Sequence, residues 1–306
     1  MTAEPGRIQP VRGTQALVDQ MGWVFRRPVL VAMEIGWRWL FGVPFLVVCL
    51  RQARIVLAAL PAESTGLTSI DFQNPWVAAV QVSNTWARYL PHVAAILYWL
   101  APVASVAWVL ISGMGRSLML RRLEGGVRWR PLAMIAMQGA WLVMFALIFW
   151  GWLRALEWVA ATHIVAGSEP DLVGFSMWTI FLSLGFFTLW ALVSWPVMVA
   201  PLLMLLEDMS PGAALARSMK PGKAFAAKLM EIDLVMGIVK LALIVLAMVL
   251  SAAPLPFSDQ LGPEAMHAVW AGAVLFFLVA NDYFHVVRLK SFIEFWRTFR
   301  GNEPAR

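Results

Sequence analysis

The sequence predicts an all-α, polytopic membrane protein with six transmembrane helices, short cytoplasmic interfacial helices and both termini in the cytoplasm. Three observations predict it. Of 306 residues, 60% are hydrophobic and only 14% charged, against about a quarter charged in a soluble domain. Mean hydropathy is +0.72, and the apolar residues gather into runs of roughly 20, the length that crosses a hydrocarbon core as helix. Lys and Arg then collect on one side of those runs.

The chain starts with polar MTAEPGRIQPVRGTQ. No apolar segment there ends in a small-residue cleavage site, so the first span is expected to stay uncleaved. That span covers about 29–50, and the others 93–111, 132–153, 175–205, 229–250 and 268–287. An alternative makes 15–34 an interfacial helix and starts the span near Trp37. It would bury Arg51 and Arg54, so the first version is preferred. The fourth run is long enough to tilt, kink or project beyond the membrane, with Pro196 and Pro201 as its kink points. The resulting division is a cytoplasmic segment 1–28, a six-helix transmembrane domain 29–290 and a cytoplasmic tail 291–306.

The formal charge is +6 and the pI about 10. In a soluble protein that balance would suggest nucleic acid; here the basic residues flank spans, as the positive-inside rule produces. Arg7, Arg12, Arg26 and Arg27 precede the first span. Arg116, Arg121, Arg122, Arg128 and Arg130 fall between the second and third. Arg217, Lys220, Lys223 and Lys228 fall between the fourth and fifth, and Arg288, Lys290, Arg297, Arg300 and Arg306 follow the sixth. That side holds 18 of the 24 basic residues, and it is expected to be cytoplasmic. The other side has only Arg51, Arg54, Arg88 and Arg154.

Two loops on that other side have some content. One carries ESTG, Asp71 and an Asn74-Pro75-Trp76 turn signal, followed by WVAAVQVSNTW, a candidate interfacial helix with Trp76 and Trp86 at headgroup depth. The second carries the acidic turn SEPD. The single cysteine, Cys49, has no thiol partner and is expected to be a small buried hydrophobe.

Three odd-numbered spans share a lead-in: RRPVLVAME from Arg26, RWRPLAMIAMQ from Arg128 and MKPGKAFAAKLME from Met219. Each joins basic residues and a proline to an apolar helix, and proline suits a first helical turn because its missing N–H has no partner there. Each also follows a short helix-like segment. Either a three-fold repeat or independent use of the same membrane-insertion chemistry accounts for the pattern.

The third lead-in belongs to a longer stretch, PLLMLLEDMSPGAALARSMKPGKAFAAKLMEID, 201–233. Ser210 is a good N-cap and Pro211 a good first-turn residue. Glu207 and Asp208 precede that N-terminus, where the helix dipole favours negative charge. The segment to Lys220 then makes about two turns, with Leu215 and Met219 on one face and Arg217 and Lys220 on another. These four are candidates for an interfacial or partner-docking surface.

Pro201, Glu207, Ser210, Pro211, Ala213, Ala214, Ser218 and Gly222, with GWVFRRPVLVA at Gly22 and GRSLMLRRLEGG before the third span, carry a family resemblance. The chain resembles the six-helix bacterial inner-membrane domain found beside some glycerophosphodiester phosphodiesterases, and the related stand-alone YciC group. The resemblance implies a six-helix inner-membrane protein. No phosphodiesterase domain is present in this sequence, so that chemistry does not carry over.

Charged groups at membrane depth are functional candidates. Glu34 and Arg38 are spaced i, i+4 with the acid first, a favourable pair. Lys240 is near mid-membrane in the fifth span, and Asn281 and Asp282 make a polar spot in the sixth. A Lys240–Asp282 contact is the sharpest expectation between those two helices. His92 and His285 sit at opposite depths, so they cannot jointly ligate a haem. No catalytic residue, metal site or cofactor is expected, because no triad, phosphate loop or ligand spacing is present.

The reading that follows is a non-enzymatic scaffold or accessory subunit of the bacterial cytoplasmic (inner) membrane. Its implied partners are membrane lipids, with anionic headgroups at the cytoplasmic face, and a candidate membrane-protein complex; nucleic acid is not among them. The alternative is a transporter or permease for a lipid or small solute that uses the intramembrane charges.

Overall fold

The computed structural model describes residues 13–66, 68, 75–165, 171–220, 223–252 and 263–301. Arg7 and Arg12, the turn residues Asp71 and Asn74, most of SEPD, Pro221 and Gly222, and Arg306 lie outside these residues. Among the described residues the regular structure is helical throughout: α1 Gly13–Phe25, α2 Pro28–Ala59, α3 Ala62–Thr65, α4 Pro75–Leu123, α5 Pro131–Ala160, α6 Leu172–Leu206, α7 Pro211–Ser218, α8 Lys223–Ala252 and α9 Pro263–Gly301. A π-helical turn, Ala161–Val165, extends α5. Six of these, α2, α4, α5, α6, α8 and α9, are long and apolar enough to cross a membrane. The chain is therefore a polytopic helical membrane protein with six spans.

The helices exceed the expected spans, and three expectations change as a result. The candidate interfacial helix WVAAVQVSNTW is the first part of α4, and GRSLMLRRL is its last part. Neither is a separate element, because Pro91 and Pro102 are accommodated inside the helix. The boundary expected at 290 falls inside α9, whose Phe292 and Ile293 are buried in the core. Pro196 and Pro201 likewise lie inside α6, which continues through both.

The lead-in pattern has a backbone counterpart. A residue preceding proline is driven out of the α region. Arg27 adopts φ −130°, ψ 65° before Pro28, and Arg130 adopts φ −130°, ψ 64° before Pro131. Two helices thus begin with the same arginine–proline corner. α1 is a separate helix ahead of the first corner. Leu17 and Val24, one face of α1, are buried against the core, and the Tyr283 hydroxyl of α9 donates to the Met21 carbonyl at 2.8 Å.

The core sits at one end of the bundle, which we call the basic end. Seven consecutive residues of α6, Val199 to Leu205, are all buried. A helix buried on every side must be surrounded, and here the wall includes Met119 and Leu120 of α4, Met134 of α5, Ala214 of α7 and Val286 of α9. Towards the opposite end, large apolar side chains such as Val103, Leu147, Phe181, Leu241 and Val274 face outward. Aromatic pairs join helices there: Trp108 of α4 lies 5.2 Å from Phe41 of α2, and Trp190 of α6 lies 5.2 Å from Phe145 of α5, each edge to face. Such pairs contribute about 0.5–1.5 kcal/mol beyond area burial. Several tryptophans therefore pack between helices.

Small residues set the spacing at the basic end. A Cβ on Gly113 would fall 2.8 Å from the Ile135 Cα of α5, and one on Gly115 would fall 2.4 Å from the Trp37 ring of α2. Small residues let membrane helices approach closely, and these two bring α2 and α5 against α4.

Candidate functional site

The close approach of α2 and α4 surrounds Glu34. This carboxylate is 1% exposed, and it accepts from Trp37 Nε1 at 2.8 Å and Arg38 Nε at 2.7 Å. All three residues lie on α2, one turn apart, so helical spacing alone places them. The other side of the Arg38 guanidinium reaches α9, where Nη1 donates to Asp282 at 2.7 Å. One arginine thus neutralises two buried acids, each through a charge-assisted hydrogen bond. His285, one turn beyond Asp282, places Nε2 3.5 Å from Glu34.

A second link lies one turn further along α9. Arg288 Nη1 is 3.5 Å from Asp233 of α8, which fixes the level at which α8 and α9 run antiparallel. The expected Lys240–Asp282 contact is not formed. Sequence spacing gives the depth of Asp282 but not its rotation about the helix axis, and its carboxylate faces Arg38 on α2. Lys240 is half-buried and makes no ion pair among the described residues. Asn281 is half-buried beside Asp282.

Arg116 and Arg288 are the residues that sequence reading missed. Both count as loop or tail charges when spans are drawn at minimum length. Both in fact lie within the long helices α4 and α9 and face the cluster. The signal was the sequence SGMGRS, 112–117, whose small residues mark close packing around an arginine. Ser112 and Ser117 are buried there with unbonded hydroxyl oxygens.

Beyond this cluster, the α6–α7 joint explains the residues of the 201–233 stretch. Asp208 closes α6 with φ 52°, a left-handed conformation that Asp tolerates better than most residues. Its carboxylate pairs with Arg130 at 2.6 Å and Arg128 at 3.3 Å, and the Met209 amide returns to the Met204 carbonyl at 3.2 Å. That is a Schellman closure. Glu207 accepts from Trp296 Nε1 of α9 at 3.0 Å and pairs with Arg217 at 3.0 Å. Ser210 caps α7 by accepting from the Ala213 amide at 3.4 Å.

Of the four docking candidates, Leu215 and Arg217 lie on α7 and Met219 and Lys220 just after it; Arg217, Met219 and Lys220 are exposed and Leu215 is half-buried. The buried face belongs to Ala214 and Ser218 instead. Their small side chains let α7 lie close against α6, and Leu215 and Met219 do not form one stripe. At the neighbouring α1–α2–α9 junction, Trp23 takes two cations, with Arg27 3.8 Å and Lys290 4.7 Å from its ring centre. Lys290 also pairs with Glu294, and Arg297 with Glu124 at the end of α4.

A large apolar cavity lies away from these charges. It holds about 550 Å³ between α2 and α4 and is lined by groups such as Cys49, Val56 and Trp86. Cys49 is half-buried on its wall rather than buried in the core. A second apolar cavity of about 240 Å³ separates α5 and α6 beside the Trp152–Ser183 hydrogen bond. Neither Lys240 nor Asp282 lines these cavities.

At the end of α5, Asp171 caps α6 by accepting from the Gly174 amide at 2.9 Å, and it also contacts His163 Nδ1 at 3.0 Å. The Gly174 amide, and after it His163, hold the Asp171 carboxyl below its usual range. No family model matches the chain, and no curated protein or solved structure is significantly similar to it.

Proposed function

We propose that this chain is a non-enzymatic scaffold or accessory subunit of the bacterial inner membrane, with both termini in the cytoplasm. The observation that carries this reading is how the charges at depth are used. Glu34, Arg38 and Asp282 are committed to one another between α2 and α9, while the outer faces of the spans present large apolar groups beyond the chain's own packing. Ion pairs closed on themselves hold helices together. Exposed apolar faces are what lipid, or a second membrane protein, covers. The reading also uses the resemblance to the six-helix bacterial family, whose matching residues Glu207, Ser210, Pro211, Ala214 and Ser218 have structural roles at the α6–α7 joint.

Extraction of the tagged full chain in mild detergent, followed by native mass spectrometry, tests the proposal. A defined membrane-protein partner at fixed stoichiometry supports it. A reproducible lone species after in-membrane cross-linking counts against the accessory role. Reporter fusions after Gly301 test the orientation, and an extracytoplasmic signal would overturn it.

The transporter reading has one observation in its favour, Lys240 without an ion pair among the described residues. Lys240→Cys in a Cys49→Ala background, probed in intact membranes with an impermeant thiol reagent, separates the two. Labelling favours a water-filled path, and protection favours the scaffold.

A further inference from the structure

The chemistry left over in the buried cluster lies on the side of Arg116 and Arg288. A cavity of about 40 Å³ at the basic end is lined by Arg116, His285 and Arg288 against Met134, Pro201 and Leu202. Water needs about 10–15 Å³ on this measure, so the space suits roughly three waters or one small anion. Nε of Arg116 and Nε of Arg288 are both buried and have no hydrogen-bond partner. A buried, unbonded guanidinium N–H is costly, and the two residues that carry one both line this space.

Nearby acids do not meet this demand. Glu34 is already bonded by Trp37 and Arg38, and Arg116 makes no ion pair among the described residues. Asp282 is held by Arg38. Asp233 reaches Arg288 only through Nη1, at 3.5 Å. Around His285, the cations Arg38, Arg116, Lys240 and Arg288 outnumber the carboxylates Glu34, Asp233 and Asp282 by one.

We propose that Arg116 and Arg288, with His285 between them, form a binding site for one phosphate-bearing anion. Guanidinium groups present planar, fork-like donors that match phosphate oxygens, and their charge is permanent. The imidazole adds a donor or an acceptor according to its tautomer. The location fits two sources. Arg116 is seven residues from the end of α4, about 10 Å along the helix, which is a short reach from a headgroup layer. Met198, also on the cavity wall, is 39% exposed on the outer surface of α6, giving a lateral approach for a phospholipid headgroup. Free phosphate would arrive from the basic end. This site goes beyond the scaffold reading and does not depend on a protein partner.

The test uses the purified full chain in a phosphate-free maltoside detergent. Binding is measured with inorganic phosphate in one arm, and with phosphatidic acid against diacylglycerol, which differ only in the phosphate, in the other. The expected result is one-to-one saturable binding of phosphatidic acid or of inorganic phosphate, and the arm that binds identifies the source. Arg116→Gln and Arg288→Gln should each weaken that binding at least about tenfold. Exposed Arg122→Gln should leave it within about twofold. Failure of the wild type to bind either probe overturns the site, and so does equal binding by wild type and Arg116→Gln. Should Arg116→Gln not fold, Arg116→Lys carries the test. It keeps the charge and loses the fork, so weaker binding supports the site and undiminished affinity overturns it. A negative result here leaves partner capture untouched, and the reverse also holds.

Discussion

Arg38 Nη1 donates to Asp282 Oδ1 at 2.7 Å and ties the second helix to the last across 244 positions. The same guanidinium holds Glu34 through Nε. Arg38→Met strands two carboxylates, whereas Asp282→Asn leaves Arg38 with Glu34. Removing one partner of a buried pair costs about 3–5 kcal/mol. Arg38→Met should therefore lose about that much, and Asp282→Asn about 1–3 kcal/mol. The double variant should lose less than the sum. Reversible unfolding in mixed micelles measures all three.

Lys240 and Asp282 make the contrasting pair. They do not touch, so Lys240→Met and Asp282→Asn should combine additively to within about 0.5 kcal/mol. A larger coupling in the same assay would mean that the two side chains meet.

These first two predictions mark how much the sequence could yield. Six spans were legible because length and hydropathy are one-dimensional quantities. The Glu34–Arg38 pair was legible because helical spacing determines it. Asp282 was legible as a candidate, but its partner was not, since rotation about a helix axis comes from packing. Arg116 and Arg288 were hidden by minimum-length spans, since the real helices run past the hydrocarbon thickness and carry those arginines inside the bundle. On α7 the Ser210 N-cap was readable, and the face that packs on the bundle was not. Leu215 and Met219 are the larger groups, but the smaller Ala214 and Ser218 face α6.

Glycine tolerance tests the α4 contacts. Gly113→Ala should destabilise by about 1–3 kcal/mol through overpacking against the Ile135 backbone. Gly185→Ala on α6 meets nothing within 4 Å and should be neutral or slightly stabilising, since alanine is the better helix former. Equal effects at the two positions would contradict the close approach of α4 and α5.

The cap of α6 should respond to pH. The carboxyl of Asp171 is held below its ordinary value, chiefly by the Gly174 amide. Its contribution is fully present above the unfolded-state value, about 3.9, and is lost as pH falls through the lower folded value. Amide exchange at Gly174 and Phe175 should rise across that acidic window relative to the interior of α6. Asp171→Asn keeps an N-cap oxygen and should remove most of the pH dependence.

Asp208 separates backbone from charge. Asp208→Asn retains tolerance of the left-handed conformation and loses only the pairs to Arg128 and Arg130, a cost under about 1 kcal/mol for exposed groups. Asp208→Val adds the strain of a β-branched residue at positive φ, about 1–2 kcal/mol more. Thermal unfolding of the two variants compares the terms.

The placement of Glu34 has a consequence for biosynthesis. Its nearest cation is one turn away on the same helix, so α2 can leave the ribosome and enter the bilayer carrying its own counter-ion. Asp282 follows 244 residues later, and only then does Arg38 gain its second acceptor. α9 thus completes the ionic contacts begun by α2, and a chain stopped after α8 would reach membrane quality control with that closure unmade.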